Sequence, residues 1–145
     1  MPSRKARTQW SGGLQDGSGK VTLVSSGVGT YDVSFPRRAA DEAGGTTSPE
    51  ELIAAAHTSC YAMQLSAVIG EAGGTVKSLV ADAEVALGAD PAGGFRLTGI
   101  KLTVRGEVDG LDADGFVAAA RTAKETCPVS KALTGVDITL DAALA

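Results

Sequence analysis

Cys60 and Cys127 are the chain's two cysteines, and His57 is its one histidine. Two thiols are too few for a disulfide scaffold, and with one imidazole they cannot complete a zinc site. In a reducing compartment this leaves two inert thiols or a redox pair. Cys60 lies within Ala54-Ala55-Ala56-His57-Thr58-Ser59-Cys60-Tyr61-Ala62-Met63. In such a run an unpaired cysteine often serves as a small hydrophobe. A mid-helix position also draws little from the helix dipole, so any activation of Cys60 must come from a cation on another segment. Cys127 precedes Pro128, which disfavours helical geometry at Cys127 and suits the first position of a new turn. That places the thiol at an N-cap, where free N–H groups favour a thiolate. The competing reading is of a residue that merely ends one helix and starts another.

Arg37, Arg38 and Glu50 are the other candidates. Each has the character of a solvated surface residue, but an arginine held by a carboxylate is a fixed cation suited to a thiolate and a peroxide oxygen. His57 stands three positions before Cys60 on the same helical face, and reads more readily as a satisfied core histidine than as a base. The glycine pairs match neither GxGxxG nor GxxxxGK[ST], so no phosphate cradle is indicated.

The elements that must position these residues follow from periodicity. Arg4–Trp10, Lys20–Val24 and Tyr31–Phe35 read as short strands broken by glycine turns, a three-stranded meander. Pro36–Thr47 reads as a loop carrying Arg37 and Arg38. Ser48-Pro49-Glu50-Glu51 announces a helix, with Ser48 as N-cap, Pro49 at the first position and Glu51 as the capping-box partner. From Leu52 to Ile69 the residues are apolar or small around nearly the whole circumference, which predicts a helix buried on most sides. Val76–Leu87 and Phe95–Val108 alternate as two longer strands joined by Ala89–Gly94. Asp112 caps a second helix reaching Lys124, a short helical piece follows Cys127, and Val136, Ile138 and Leu140 form a last strand. The order βββ-α-ββ-α-β lacks regular βα alternation and indicates an α+β fold in one domain, residues 1–145.

Composition removes several classes of function. The net charge is −4, and the basic residues form no cluster beyond Arg4–Arg7, which argues against a nucleic-acid partner. The long helix carries His57, Thr58, Ser59 and Gln64, so no apolar run approaches the roughly 20 residues that cross a bilayer. The N-terminal Arg4-Lys5-Ala6-Arg7-Thr8-Gln9 lacks the apolar segment of a signal peptide. A cytoplasmic location without membrane association is expected. Aromatics are 4% of residues, so the core rests on Val, Leu, Ile and Ala, and a partner subunit is expected to complete it.

The string Ser48-Pro49-Glu50-Glu51-Leu52-Ile53-Ala54-Ala55-Ala56-His57-Thr58-Ser59-Cys60, followed far downstream by Cys127-Pro128-Val129-Ser130, closely resembles the Ohr/OsmC family of organic hydroperoxide resistance and osmotically inducible proteins. The likeness extends to Gly70-Glu71-Ala72-Gly73 and Ile138-Thr139-Leu140-Asp141, and Ala55-Ala56-His57 is closer to the OsmC branch. The resemblance implies an intertwined homodimer with central helices wrapped by sheets. It also implies a peroxidase that reduces organic hydroperoxides in stress defence, with Cys60 attacking and Cys127 resolving. Its activating arginine falls on Arg38, with Arg37 as the alternative, and its glutamate falls on Glu50. No bound cofactor is implied; the reductant is an external dithiol, a dihydrolipoyl group on a lipoylated partner protein. Leu52, Met63 and Leu65 are expected to line a pocket for the alkyl group. Two rival readings use the same residues: a thiol–disulfide exchange protein built on Cys127-Pro128-Val129-Ser130, and a non-enzymatic module binding an apolar ligand in an Ala-rich dimer core.

Overall fold

Glycine turns and alternating side chains organise the first third of the chain as their spacing predicts. The computed structural model describes residues 1–145. In it β1 (Arg7–Ser11), β2 (Ser18–Thr22) and β3 (Thr30–Val33) form an antiparallel meander in the order β1-β2-β3. The third strand ends two residues earlier than expected. Ser34 caps a helical turn, α1 (Phe35–Arg38), accepting from the Arg37 N–H, and Pro36 occupies a first-turn position where its missing N–H costs nothing. Arg37 and Arg38 therefore sit on a helical turn and not on the open loop that the sequence suggests.

The long helix α2 (Pro49–Glu71) starts where the capping signal places it. Ser48 Oγ accepts from the Glu51 N–H at 3.2 Å, but the Glu51 carboxylate takes the Thr47 hydroxyl instead of returning to the Ser48 N–H. Only half of the expected capping box forms. Two compact units divide the chain, Met1–Leu52 and Ile53–Ala145, and α2 begins in the first and continues in the second.

In the second unit β4 (Thr75–Ala89) and β5 (Phe95–Asp109) form an antiparallel hairpin. The Asp90–Gly94 turn is closed by backbone bonds between Asp90 N–H and Gly94 O, and between Gly93 N–H and Asp90 O. β6 (Ile138–Leu144) joins β5 in parallel, so the sheet order is β4-β5-β6. A parallel pair needs a crossover, and α3 (Ala113–Thr126) with α4 (Pro128–Ala132) supplies it. Asp112 caps α3, accepting from the Gly115 N–H at 2.7 Å. The fold is α+β.

The core of this unit joins three elements: Tyr61, Leu65 and Ile69 of α2, Leu102 and Val104 of β5, and Phe116, Ala119, Ala120 and Ala123 of α3, with Cys127 beside them. The Tyr61 hydroxyl donates to the Ala120 carbonyl at 3.0 Å, so the one polar group of that buried ring is paired. Positions 57, 61, 65 and 69 form a single stripe with i, i+4 spacing, whereas Ala55, Ala56, Ser59, Met63, Ser66 and Ala67 are exposed. The expected burial on most sides is corrected: within one chain α2 buries one face. It is also the one helix long and apolar enough to cross a bilayer by length and composition, with a mean hydropathy of 1.3. The expectation that no run approaches that length is corrected with it. A buried stripe containing His57 and packed against β5 and α3 is the pattern of a core helix.

Gly106 of β5 is a tight point of this core. A Cβ there would lie 2.7 Å from a ring carbon of the fully buried Phe116 and 2.9 Å from a Leu79 methyl carbon. Gly106→Ala is therefore expected to cost about 1–3 kcal/mol through overpacking. Phe116→Leu in the same chain should recover part of that loss. Urea unfolding of the two single variants and the double variant reads the coupling; additive losses would show that the two positions do not press on each other.

Candidate active site

Cys127 is the last cap of α3 and the first cap of α4, with φ −59° and ψ 124°, and Pro128 follows at the start of the new turn. This break turns the chain so that the Cys127 sulfur meets α2, where its thiol stands 3.1 Å from the Cys60 sulfur across a sequence separation of 67. Both thiols are free; Cys60 is partly exposed and Cys127 is fully buried. At this separation the two sulfurs are in contact, and covalent closure needs only a small further approach.

The two thiols differ in charge preference. Burial pushes the Cys60 thiol up, a Val129 N–H pulls it partly back, and the bond to Cys127 together with that sulfur's charge pushes it up again. Burial also pushes Cys127 up, but the Ser130 N–H, the Cys60 thiol, the Ser130 hydroxyl and the Val129 N–H outweigh it and hold Cys127 below the ordinary range. In this geometry Cys60 keeps the proton and Cys127 takes the charge. The sulfur–sulfur contact is a direct path by which a proton can pass from one thiol to the other.

His57 is fully buried one turn before Tyr61, and its Nε2 lies 2.7 Å from the Ser130 hydroxyl. Its Nδ1 is buried with no partner. The expected satisfied core histidine is thus satisfied on one nitrogen only. Burial lowers its pKa.

Arg38 and Glu50 come together within the first unit. Arg38 Nε lies 3.0 and 3.2 Å from the two Glu50 carboxylate oxygens, and Nη2 lies 2.8 Å from Oε1. The carboxylate is 10% exposed at the start of α2, where the positive end of the helix dipole also favours it. Arg37 lies exposed along Gly44 (φ +61°), so close that a Cβ at Gly44 would come 2.6 Å from its guanidinium.

The expected pocket of Leu52, Met63 and Leu65 does not form, because Leu65 is fully buried in the core and Met63 is 74% exposed. Leu52 instead helps to line a cavity of about 270 Å³ with Trp10, Leu14, Val21, Phe35 and Arg38. The sequence reading missed Trp10, Leu14 and Phe35 as lining residues; the available signal was an apolar Leu14 inside the polar turn Gly12–Gly17. No group of three or more His, Cys, Asp or Glu side chains is arranged to hold a metal ion.

Comparison with known proteins gives a consistent set of likenesses. The family model described as OsmC-like protein matches residues 42–141. Peroxiredoxin OsmC of Escherichia coli (strain K12) is 40% identical over 138 residues, spanning 95% of this chain and 94% of that one. Organic hydroperoxide resistance protein OhrA of Bacillus subtilis (strain 168) is 36% identical over 128 residues, spanning 86% and 87%. The crystal structure of an organic hydroperoxide resistance protein OsmC from Legionella pneumophila is similar with a TM-score of 0.79 at 29% identity, over 99% of this chain and 98% of that one.

The buried histidine has a consequence for stability. Because folding lowers the His57 pKa, the unfolded chain binds more protons once pH falls below the ordinary histidine value of about 6.5. His57 therefore permits full stability above that value and removes stability as pH falls from it toward the lowered folded value. The difference in unfolding free energy between wild type and His57→Gln, measured in urea from about pH 7.5 to about pH 5.5, should shift against the wild type on the acid side. A pH-independent difference would contradict the burial of a neutral imidazole.

Proposed function

This chain belongs to the OsmC-like family, and from that premise we propose that it is a thiol-dependent peroxidase of peroxide-stress defence that reduces organic hydroperoxides to alcohols. The observation that carries the proposal is the contact between a partly exposed and a fully buried thiol, 3.1 Å apart. A peroxide from solvent can reach Cys60 and not Cys127, so access assigns the attack to Cys60 although the charge rests more easily on Cys127. The Cys60 thiolate forms when its proton crosses to Cys127 or is lost. It attacks the outer oxygen of R–O–O–H, the O–O bond breaks, and the alkoxide leaves with a proton as the alcohol. Cys60 is left as a sulfenic acid. The Cys127 thiolate then displaces hydroxide, which leaves as water, and a Cys60–Cys127 disulfide closes. A dithiol reopens it, and the family pattern points to dihydrolipoyl groups on a partner protein. Two free, adjacent thiols suit a reducing compartment such as the cytoplasm.

Arg38, clamped by Glu50, is the cation proposed for the Cys60 thiolate. Glu50 and Cys60 stand ten residues apart on one helix, about 15 Å of axial rise. That is beyond the reach of a guanidinium fastened to Glu50, so the assignment requires the pair of one copy to serve the Cys60 of another. A homodimer that covers the exposed face of α2 meets this requirement. The apolar cavity beside Arg38 is then a place for the alkyl group of the peroxide, which favours organic over hydrogen peroxide.

Cys60→Ser should abolish turnover with cumene hydroperoxide and a dithiol, whereas Cys127→Ser should complete one oxidation and accumulate sulfenic or higher oxides on Cys60. Near-normal turnover in Cys60→Ser sinks the proposal. Arg38→Ala should slow Cys60 oxidation at least about tenfold, equivalent to about 1.4 kcal/mol, and Arg37→Ala should do much less; the reverse order would transfer the role to Arg37.

In light scattering the protein should be a dimer at micromolar concentration, with an interface as apolar as a divided core. A monomer would remove the second copy on which the arginine assignment depends.

A further inference from the structure

The unpartnered Nδ1 of His57 decides which way a chain of hydrogen bonds runs. An imidazole at neutral pH carries one N–H. If it were on Nδ1, a donor would be buried with nothing to accept it, a rarer and costlier condition than an unsatisfied acceptor. The proton therefore belongs on Nε2, which lies 2.7 Å from the Ser130 hydroxyl. Receiving that N–H, the hydroxyl acts there as acceptor, and its own proton is free. Ser130 follows Cys127 by three residues in the short helix that Cys127 caps, and the two face His57 and Cys60, themselves three residues apart on α2; this places the hydroxyl beside the Cys127 sulfur, whose pKa it lowers. Ser130 is 5% exposed, so water offers little alternative.

We propose that His57 and Ser130 are positioning residues for Cys127: the imidazole N–H donates to the hydroxyl, the hydroxyl donates to the sulfur, and Cys127 is thereby prepared as the thiolate that resolves Cys60. This rests on the peroxidase reading of the same thiols, but the hydrogen-bond chain itself does not involve peroxide. In the resolving step the electron pair of the Cys127 sulfur forms the new S–S bond as the S–O bond of the sulfenic acid breaks. Hydroxide leaves and takes a proton as water, so Cys127 is oxidised and Cys60 reduced. When a dithiol later attacks the Cys60 sulfur, Cys127 leaves as a thiolate into the same hydroxyl donor. Both steps are helped by one fixed proton donor.

The titratable groups of α2 around Cys127 are Cys60, His57 and Tyr61, whose phenol is pushed up by burial and by the charge on Cys127. β5 and α3 contribute apolar side chains to the core around it, and Lys131 of α4 is exposed. Lys124 and Glu125 of α3, Lys131 of α4 and Asp137 line an open cavity that also reaches Ser130, and the Ser130 and His57 variants below leave all four unchanged.

The test uses full-length protein carrying Cys60→Ser, so that Cys127 is the only thiol and its thiolate absorbance can be followed against pH without peroxide. Adding Ser130→Ala should raise the Cys127 midpoint by about one pKa unit, and Ser130→Thr should leave it near the parent. His57→Leu should also raise it, whereas His57→Gln, which keeps an N–H near the Nε2 position, should not. In the two-thiol protein, Ser130→Ala should then slow disulfide closure after a peroxide pulse about tenfold at neutral pH, with the pH profile of closure displaced by the same shift. An unchanged midpoint in Ser130→Ala, or His57→Gln and His57→Leu shifting Cys127 equally, would overturn the proposal. Failure of Cys60 to react with peroxide overturns the peroxidase reading and the resolving role, while the titration reports separately on the hydrogen-bond chain.

Discussion

Two sulfur atoms 3.1 Å apart, from residues 67 positions apart, are the constraint on which the rest of the structure depends. Neither thiol is held by a local motif alone. Cys60 is aimed by the stripe of α2 that packs through Tyr61, Leu65 and Ile69 onto β5 and α3, and Cys127 by the break that Pro128 imposes between α3 and α4. That break lies within the crossover that makes β6 parallel to β5. The Tyr61–Ala120 hydrogen bond ties the two helices where the sulfurs meet. An error of one residue in the packing of either helix would rotate a thiol away by about 100°.

Acidity and access divide between the two thiols. The groups that favour a thiolate surround Cys127, at the first turn of the helix it caps, while only Cys60 is partly open to solvent. A site that needs a nucleophile twice, first toward a peroxide and then toward a sulfenic acid, is served by this division. In the proposed reaction the exposed thiol would borrow the charge through the short contact, and the buried one would regain it once the sulfenic acid has formed. Desolvation alone would keep both thiols protonated near neutral pH, so the proposed reaction depends on the groups around Cys127 and on a cation for Cys60.

Much of the scaffold was legible because local signals agreed with one another. Ser48 before Pro49, Asp112 before Gly115, Pro128 after Cys127 and the Asp90–Gly94 turn each carry their own stereochemistry, and they appear where the sequence places them. The buried face of α2 was not legible. Alanines, serines and large apolar residues alternate around its circumference without a polar side, so composition does not distinguish the stripe of positions 57, 61, 65 and 69 from the exposed Ala55, Ser59 and Met63. The pairing of Arg38 with Glu50 depends on the turn α1, which Ser34 and Pro36 encode but which an alternating Tyr31, Val33 and Phe35 conceals. The His57–Ser130 bond and the cavity beside Arg38 join residues distant in sequence, and periodicity carries no information about such encounters.

The central claim is that peroxide drives these two thiols into one intramolecular disulfide. The most direct measurement is the intact mass and thiol content of the fully reduced protein after a stoichiometric pulse of cumene hydroperoxide, with unfolded samples run on non-reducing gels. The account predicts loss of two hydrogens and both thiols per chain, with no covalent cross-link between chains. Retention of both thiols, a disulfide between chains, or an oxygen retained on Cys60 while Cys127 stays free would contradict it.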